Sequence, residues 1–372
     1  MPVGFLEERH IALRYQAQAW VDAADLESDH DPRRVVERLA RHELVKACVP
    51  LAFGGLRERV ELRDLCVLRA VLGYRSSFAD TMFAMQGLGS YPVTLAGSDE
   101  QRRALLPRVA DGQTICAFAI TEPDAGSDVS AIATRAVRDG DGWIIDGTKC
   151  FISNAGVADS YVLFARTSDD RHHGLSAFVL DGSANGLTIT PTELIAPHPI
   201  GTMTLARVRV PSSALLGEEG GGFALAMATL DFFRTSVGAA ALGMAARALD
   251  EARDRVLLRK QFGRPLADFQ ATQMALADMA VDVAAARLLV FSAAHRIDTS
   301  DGPGTVDAAM AKLYATEAAQ RVIDRAVQLF GGQGVVAGCI VERLYREVRA
   351  LRIYEGTSEI QRLVIGKALL RT

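Results

Sequence analysis

The sequence predicts a mostly α-helical protein with a small β-domain in the middle of the chain. Apolar residues recur at helical spacing before residue 115 and after residue 222, whereas short alternating runs separated by turn formers lie between. Aromatic residues make up only 6% of the 372 residues, and this favours helices packed on small side chains such as alanine. We therefore expect an N-terminal helical domain at 1–114, a middle antiparallel β-domain at 115–222 and a C-terminal four-helix bundle at 223–372.

Helix-start signals define the N-terminal domain. Asp31-Pro32 opens a helix that is expected to run through Leu44, and residues 60–72 carry apolar side chains at helical spacing. Ser98 followed by Gln101 forms a capping box ahead of a further helix. These signals predict several helices joined by short loops.

The middle and C-terminal domains differ in the period of their apolar residues. In the middle domain, short strands are predicted at 142–146, 161–165, 176–180, 187–189 and 206–210. In the C-terminal domain, long helices are predicted at 224–258, 269–295 and 306–330, with breaks at 263–265 and 299–304. Long helices with such breaks are typical of an antiparallel bundle.

Charge and cysteine usage exclude several classes of function. The formal net charge is −4 and no basic block is present, so neither nucleic acid nor a membrane is expected as a partner. The five cysteines are widely spaced without a Cys-x-x-Cys pair, and the seven histidines lack ligand spacing, so no metal site is predicted. The first twenty residues contain no apolar targeting segment, and a cytoplasmic protein with reduced thiols is expected.

The most informative segment for chemistry surrounds Glu355. Ser358 with Gln361 is interpreted as a capping box, so a final helix is expected to begin at Ser358, and Gly356 permits a tight turn before it. Glu355 is thereby placed on a loop between helices. An isolated Glu-Gly pair is more often simply solvated, so its role depends on the other segments.

Four further segments carry side chains that suit a flat cofactor. Residues 118–128 form a strand that ends in a Pro/Gly loop, whose amides and hydroxyls can bind polar cofactor edges. Phe151 and Ser153 are expected on the same side of a strand, where one covers a ring and the other hydrogen-bonds it. Residues 259–270 place an arginine at a helix end, a natural partner for pyrophosphate. The glycines of residues 326–334 follow a helix and not a strand, which rejects a Rossmann fingerprint.

Taken in this order, the five segments closely resemble the acyl-CoA dehydrogenase family, over about residues 39–370. The motifs Thr-Glu-Pro-x-Ala-Gly-Ser-Asp at 121–128 and Tyr-Glu-Gly-Thr-Ser-Glu-Ile-Gln at 354–361 are highly specific in combination. The resemblance implies FAD as the cofactor and Glu355 as the catalytic base, with Tyr354 and Gly356 lining the thioester site.

The resemblance also implies which side chains bind the rest of the cofactor and substrate. The flavin ring is expected against Phe118, Ile120, Thr121, Phe151 and Ser153. Ser127 is expected at the flavin phosphates or the pantetheine arm of the substrate, and the CoA arm and nucleotide are expected at Asp231 and Arg234. FAD contacts from a neighbouring subunit are expected from Arg259, Phe262, Gln270, Gln328 and Gly332, with Thr357 and Glu359 beside the pyrophosphate. Such a site requires a homodimer or homotetramer.

The implied reaction removes two hydrogens from an acyl-CoA thioester. The α-proton of a thioester is weakly acidic, so its removal needs a carboxylate held against it and stabilisation of the enolate oxygen, while the β-hydrogen passes to the flavin as hydride. The product is the 2,3-enoyl thioester, and electron-transfer flavoprotein is the expected acceptor. In some relatives the base precedes the bundle-helix arginine, where this chain has Phe233, so Glu355 is the one candidate base.

Three alternatives and two departures from the family pattern accompany this interpretation. An acyl-carrier-protein thioester is an alternative substrate, a flavin monooxygenase of the same fold does not need the glutamate, and a thioester-binding paralogue predicts lost flavin contacts or a lost base. Phe151 stands where many members carry tryptophan, and the flat ring is kept. The loop at 192–202 lacks the Gly-x-x-x-Ser pattern of many members and carries His198, which is interpreted as a solvated residue rather than a substrate contact.

Overall fold

Residues 4–171, 173–300 and 304–370 are described by a computed structural model of the chain. Their α-helices are α1 (Glu8–Ala23), α2 (Pro32–Arg41), α3 (Leu62–Arg75), α4 (Ser77–Ala96), α5 (Asp99–Ala110), α6 (Gly222–Leu258), α7 (Gln270–Thr299), α8 (Thr305–Phe330), α9 (Ile340–Val348) and α10 (Ser358–Leu369). Their β-strands are β1 (Cys116–Ala119), β2 (Arg135–Asp139), β3 (Gly142–Ser153), β4 (Ser160–Arg166), β5 (Leu175–Asp181), β6 (Leu187–Pro191), β7 (Ile200–Pro211), β8 (Leu215–Leu216), β9 (Lys260–Gln261) and β10 (Arg264–Pro265).

Two compact units make up the described residues. The first, here called the helical unit, takes in the chain up to Ser28, Leu62–Asp80 and the chain from Asp231 onward. The second, here called the sheet unit, comprises Asp29–Glu61 and Thr81–Leu230. The domain boundaries expected after residues 114 and 222 stay a prediction.

The sheet unit is built around one mixed sheet in the order β6-β7-β3-β2-β4-β5-β8, with β1 beside β4. Most neighbouring strands are antiparallel, whereas β1 and β2 run parallel to β4. Tyr161, Phe164 and Phe178 are fully buried and contribute large apolar surfaces to the core. This sheet, between helical segments of the chain, confirms the predicted fold class.

The strand predictions succeeded where the apolar pattern is regular. Each of the five predicted runs falls within one of the strands β3 to β7. The sequence did not predict β2, because its residues are mostly polar and its Val137 is 60% exposed.

The end of β3 is irregular. Its pairing with β7 shifts register before Ile152, and the preceding Phe151 has a left-handed φ of 54°. The alternation that was expected to place Phe151 and Ser153 on one side of a strand therefore does not apply at this point. Both residues are nevertheless more exposed than Ile152 between them.

The N-terminal helices follow their predicted start signals. The carboxylate of Asp31 accepts a hydrogen bond from Arg34 N–H at 2.9 Å and caps α2. This helix ends at Arg41, earlier than predicted, because the chain then turns into a short 3-10 segment. The capping box of Ser98 and Gln101 is present at the start of α5.

The helical unit brings helices close together at glycine. A Cβ on Gly73 would lie 2.6 Å from Ala240 O, and one on Gly243 would lie 2.3 Å from Ala70 O, so α3 and α6 approach this closely only because both positions lack a side chain. The predicted long helices correspond to α6, α7 and α8, and residues 301–303 of the predicted break lie outside the described residues. No helix among the described residues is long and apolar enough to cross a membrane.

Candidate active site

Glu355 lies in the helical unit, on the short loop that precedes α10. Its backbone has a left-handed φ of 54°, and Gly356 follows with a φ of 91°. A Cβ on Gly356 would lie 2.6 Å from Gln361 Nε2, so a side chain there would have to displace the Gln361 amide that binds Gly356 O. A left-handed conformation costs a non-glycine residue roughly 1–2 kcal/mol, so contacts around the loop must hold Glu355 in place.

The start of α10 differs from the predicted capping box. The helix begins at Ser358 as predicted, but its N-cap is Thr357, whose hydroxyl accepts a hydrogen bond from Ile360 N–H at 3.3 Å. Ser358 is already in the first turn and donates its hydroxyl to Glu317 Oε1 at 2.7 Å. Because Thr357 has the extended backbone that a cap requires, the predicted pairing of Ser358 with Gln361 is wrong by one residue.

A buried lysine binds the carbonyl oxygens on both sides of Glu355. The Lys312 ammonium donates to Tyr354 O at 2.8 Å and to Gly356 O at 2.6 Å. Sequence reasoning missed this residue. The signal that could have found it is a lysine on the buried, alanine-rich face of α8, where a solvated side chain has no room.

Arg234 and Gln361 bind the same loop. Arg234 Nε donates to the Glu355 carbonyl at 3.1 Å, and Gln361 Nε2 donates to the carbonyl of the next residue at 2.9 Å. Arg234 Nη1 is also paired with Asp231 Oδ1, and Asp231 Oδ2 accepts a hydrogen bond from Thr305 Oγ1 at 2.7 Å. The structure thus joins Asp231 and Arg234, both expected at the CoA arm, to the loop of the candidate base.

The side chain of Glu355, a partly exposed residue, has one buried oxygen without a hydrogen-bond partner in the part of the chain that the structure describes. Its Oε2 atom is buried, and no group among the described residues donates a hydrogen bond to it. Burial raises the pKa of the Glu355 carboxyl above its usual value, whereas the cations Arg69, Lys312 and Arg234 favour the ionised form. Burial likewise raises the pKa of the Tyr354 phenol. A buried carboxyl with a raised pKa and a free acceptor oxygen is typical of a general base.

A buried ion pair near this carboxyl was also missed by sequence reasoning. Arg69 Nε and Nη2 donate to the two Asp80 oxygens at 2.9 and 2.8 Å, and Arg69 Nη1 donates to Ser236 Oγ at 2.9 Å. The two charged side chains are only 2% and 3% exposed. The charge of Arg69 acts on both Tyr354 and Glu355. An arginine within the buried face of α3 was the available signal.

The residues expected at the flavin ring differ in exposure within the sheet unit. Phe118 and Ile120, on and just after β1, are buried. Thr121 is partly exposed and Ser127 is exposed on the loop that follows. The chain therefore buries the strand and presents the hydroxyl-bearing loop to solvent.

Glu122 of the Thr-Glu-Pro motif anchors this loop. Its Oε1 accepts hydrogen bonds from Lys149 Nζ at 2.8 Å and Thr134 N–H at 3.0 Å, and its Oε2 accepts one from Ala133 N–H at 2.7 Å. Lys149 also donates to Ile120 O at 3.0 Å. Burial lowers the pKa of Lys149 to about 8. Burial alone would raise the pKa of Glu122, but the Lys149 charge and the hydrogen bonds from Lys149, Thr134 and Ala133 together hold it below its usual value. Glu122 is therefore a structural member of the motif.

Ser153, at the end of β3, is hydrogen-bonded to His198. Ser153 Oγ lies 2.7 Å from His198 Nε2, and Asn154 N–H donates to Pro199 O at 2.7 Å. Burial lowers the pKa of His198 to about 4, so its imidazole is neutral near pH 7. The interpretation of His198 as a simply solvated residue is wrong, because the loop at 192–202 is fastened to the end of β3.

The residues expected to reach FAD from a neighbouring subunit are exposed on the helical unit: Arg259, Phe262, Gln270, Gln328 and Gly332. Phe262, in the turn between β9 and β10, is 93% exposed and has a left-handed φ of 51°. Thr357 caps α10, and Glu359 is exposed in the first turn of that helix. Leu257 and Leu258, at the end of α6, are also exposed, and a group of exposed apolar side chains is typical of a surface that another molecule covers.

These residues fit a cofactor with a flat ring and a phosphate-bearing chain. Phe151 is 61% exposed at the end of β3, close in sequence to the Ser153 hydroxyl. The exposed hydroxyl of Ser127 and guanidinium of Arg259 are donors of the kind that bind phosphate. In the part of the chain that the structure describes, no group of three or more His, Cys, Asp or Glu side chains is arranged to hold a metal ion.

Comparison with known proteins assigns the whole fold. Family models for the N-terminal, middle and C-terminal domains of acyl-CoA dehydrogenase match residues 8–113, 117–208 and 220–370. The chain is 39% identical over 331 residues to a cyclohexane-1-carbonyl-CoA dehydrogenase of Geobacter metallireducens, covering 88% of this chain and 87% of that protein. The structure of butyryl-CoA dehydrogenase from Megasphaera elsdenii matches with a TM-score of 0.94 and 33% identity, covering 100% of both chains. That of a glutaryl-CoA dehydrogenase from Mycobacterium smegmatis in complex with FADH2 matches with a TM-score of 0.91 and 27% identity, covering 98% of this chain and 95% of that one.

The fold and the cofactor-fitting residues, with these matches, define a flavoprotein oxidoreductase whose cofactor is FAD. The chain belongs to the acyl-CoA dehydrogenase family. It is an acyl-CoA dehydrogenase, an oxidoreductase that acts on the CH–CH group of an acyl-CoA. The resemblance drawn from the sequence motifs is thereby confirmed.

Proposed function

We propose that Glu355 removes the α-proton of an acyl-CoA while the β-hydrogen leaves as a hydride, which yields the 2,3-enoyl-CoA. The observation that carries this proposal is the buried Oε2 of Glu355, which has no partner among the described residues. Removal of a weakly acidic α-proton requires a carboxylate held against it, shielded from water. FAD, when bound, supplies the acceptor for the hydride.

Two further observations support Glu355 as the base. The alternative position, immediately before Arg234, is the buried apolar residue Phe233, which cannot take a proton. Burial makes Glu355 a stronger base, and the charges of Arg69 and Lys312 keep its ionised form accessible. An intact glutamate also argues against a flavin monooxygenase, which does not need this residue.

The proposal extends to the residues that bind the cofactor. Phe118, Ile120, Thr121, Phe151 and Ser153 surround the flavin ring, and Ser127 binds the phosphates or the pantetheine arm. A second copy of the chain completes the site through the exposed residues Arg259, Phe262, Gln270, Gln328 and Gly332, with Thr357 and Glu359 beside the pyrophosphate. The 93% exposure of Phe262 supports such a homodimer or homotetramer. Electron-transfer flavoprotein is the proposed electron acceptor.

The acyl group is best identified with a panel of thioesters. The similar proteins are named for cyclohexane-1-carbonyl-CoA, butyryl-CoA and glutaryl-CoA, which are cyclic, short linear and dicarboxylic. Each of these thioesters, with acyl-carrier-protein counterparts, is mixed anaerobically with the purified FAD-loaded enzyme. Loss of the flavin absorbance then reports substrate oxidation directly.

The same experiment tests the base when it is run on Glu355→Gln, with Glu347→Gln as the matched control. Glu347 is a second glutamate of the helical unit whose pKa is raised by burial, but it lies on α9 and away from the loop. We expect one thioester class to bleach wild type and Glu347→Gln, whereas Glu355→Gln keeps its flavin but is reduced at least about 10³-fold more slowly. Reduction of Glu355→Gln at the wild-type rate would exclude it as the base. Wild-type enzyme that binds flavin and is bleached by no thioester would instead favour a reduced-flavin reaction with oxygen.

A further inference from the structure

Lys312 is fully buried in α8, which is unusual for a lysine. The helix positions around it are alanines, and Ala308, Ala309, Ala311 and Ala315 are all buried. A buried ammonium loses its hydration, and burial accordingly lowers the pKa of Lys312. Such a residue persists only where its hydrogen bonds serve the structure around it.

The hydrogen bonds of Lys312 are directed at backbone and not at a carboxylate. Its Nζ donates to Tyr354 O and Gly356 O, so one ammonium joins the carbonyl groups of the residues before and after Glu355. No carboxylate among the described residues lies within salt-bridge distance of it. Charge-assisted hydrogen bonds are roughly twice as strong as neutral ones, so Lys312 is well suited to hold a strained turn.

The turn that it holds is strained at the residue that carries the chemistry. Glu355 has a φ of 54°, a conformation that few residues other than glycine adopt. Rotation of this peptide toward ordinary values would swing the carboxyl group away and separate the two carbonyls that Lys312 joins. Arg234 donates to the Glu355 carbonyl at 3.1 Å, and Gln361 donates to Gly356 O at 2.9 Å but to the Glu355 carbonyl only at 3.4 Å. Neither side chain therefore makes two short hydrogen bonds that join the residues before and after Glu355, as Lys312 does.

We propose that Lys312 is a positioning residue, which holds the left-handed turn at Glu355 and so places the carboxylate for removal of the α-proton. The inference rests on the proposed function of Glu355 and assigns the placement of its carboxylate to Lys312, whose side chain is fully buried. Misplacement of a reacting group by about 1 Å can cost on the order of 10²-fold in rate, and this sets the expected effect.

The test measures proton removal separately from hydride transfer. Acetyl-CoA has α-hydrogens but no β-hydrogen, so its exchange of hydrogen for deuterium in D2O, followed by mass spectrometry, reports the base alone. The variants are Lys312→Met, which has similar length without a donor, and Thr316→Val as the matched control. Thr316 is also fully buried on α8, but its hydroxyl donates within the helix, to Lys312 O at 2.9 Å.

For FAD-loaded Lys312→Met we expect exchange to fall about 10²-fold and kcat with the oxidisable thioester to fall in parallel, while KM changes less than about threefold. Thr316→Val is expected within about twofold of wild type. Exchange by Lys312→Met at the wild-type rate would overturn the proposal. The proposal would also fail if the loss of exchange were no larger than the loss of folded, flavin-loaded protein. If Lys312→Met does not fold, the shorter and uncharged Lys312→Gln is judged by the same criteria.

Glu355→Gln in the same assay separates the two proposals. If Glu355→Gln does not exchange while Lys312→Met exchanges normally, the role of Lys312 is wrong and the base stands. If Glu355→Gln exchanges as fast as wild type, the base is wrong and the role of Lys312 fails with it.

Discussion

The buried pair of Arg69 and Asp80 leads to a sharp prediction about stability. Replacing Arg69 with methionine removes two hydrogen bonds to Asp80, at 2.9 and 2.8 Å, and a third to Ser236 at 2.9 Å. The Asp80 carboxyl group is only 3% exposed and would be left in the interior without the cation that binds it. Breaking a buried pair in this way typically costs about 3–5 kcal/mol, and we expect Arg69→Met to lie in that range.

The double variant and a surface pair supply the comparison. Adding Asp80→Leu removes the stranded charge, so the double variant is expected to recover most of the loss and to show a coupling energy of about 2 kcal/mol or more. Arg321 and Asp282 form a pair of the same chemistry, with contacts of 3.1 and 2.7 Å, but the arginine is 53% exposed. Exposed pairs contribute little, so Arg321→Met is expected to cost about 0–1 kcal/mol.

Unfolding by denaturant can be followed within the helical unit alone. The chain has two tryptophans, Trp20 on α1 of the helical unit and Trp143 on β3 of the sheet unit. A Trp143→Phe background leaves Trp20 fluorescence as the probe for every variant in the comparison. The reasoning is refuted if Arg69→Met costs no more free energy of unfolding than Arg321→Met, or if Asp80→Leu adds to the loss instead of reversing it.

Two further predictions concern pH and the loop beside Ser153. Glu355 must be ionised to accept a proton, and burial raises its pKa. We therefore expect kcat/KM to fall as the pH drops through a value above the usual range of glutamate pKa values. A pH profile of kcat/KM that stays flat down to that usual range would contradict this prediction. His198→Leu removes the 2.7 Å hydrogen bond to Ser153 and is expected to shift the flavin absorption spectrum and slow flavin reduction about fivefold, the equivalent of ~1 kcal/mol. Ser153→Ala should reproduce the shift, and the double variant should add nothing. Because the pKa of His198 is lowered to about 4, neither effect should change between about pH 6 and 8; an unaltered spectrum would exclude the coupling.

The predictable parts of the fold are those with a strong period. The long helices α6 to α8 and the strands β3 to β7 were predicted because their apolar residues repeat at the spacing of their secondary structure. The polar strand β2 and the left-handed Phe151 break that period, so local pattern could not reveal them. The choice between Thr357 and Ser358 as a cap depends on one backbone angle, which a motif of interchangeable hydroxyl residues does not encode.

The site residues that could be predicted from the sequence are those that lie in one contiguous motif. Glu355 and Gly356 lie in one segment, where the glycine predicted a tight turn, and the structure shows that both residues there have left-handed φ angles. Lys312 and Arg69 were not predicted because a charged residue in a helix ordinarily points to solvent, and none of their partners among the described residues lies within the same helix. Tyr354 is 42 residues from Lys312, and Asp80 and Ser236 are 11 and 167 residues from Arg69. Only the packing of α3, α6 and α8 shows that these charges are buried beside the loop.

The charges around Glu355 bear on its proposed role as the base, because they oppose the effect of burial on its pKa. Arg69 and Arg234 each have an aspartate of their own, whereas Lys312 binds only carbonyls among the described residues. The charges of Arg69, Lys312 and Arg234 all act on Glu355, and Lys312 has no carboxylate within salt-bridge distance among the described residues. Burial lowers the pKa of Lys312 and raises the pKa of Glu355. A raised pKa of Glu355 reduces the difference between its pKa and that of the weakly acidic α-proton. When the carboxylate takes up that proton, it loses a buried negative charge that is costly to keep. The nearby cations Arg69, Lys312 and Arg234 oppose this rise in the pKa of Glu355 and favour its ionised form.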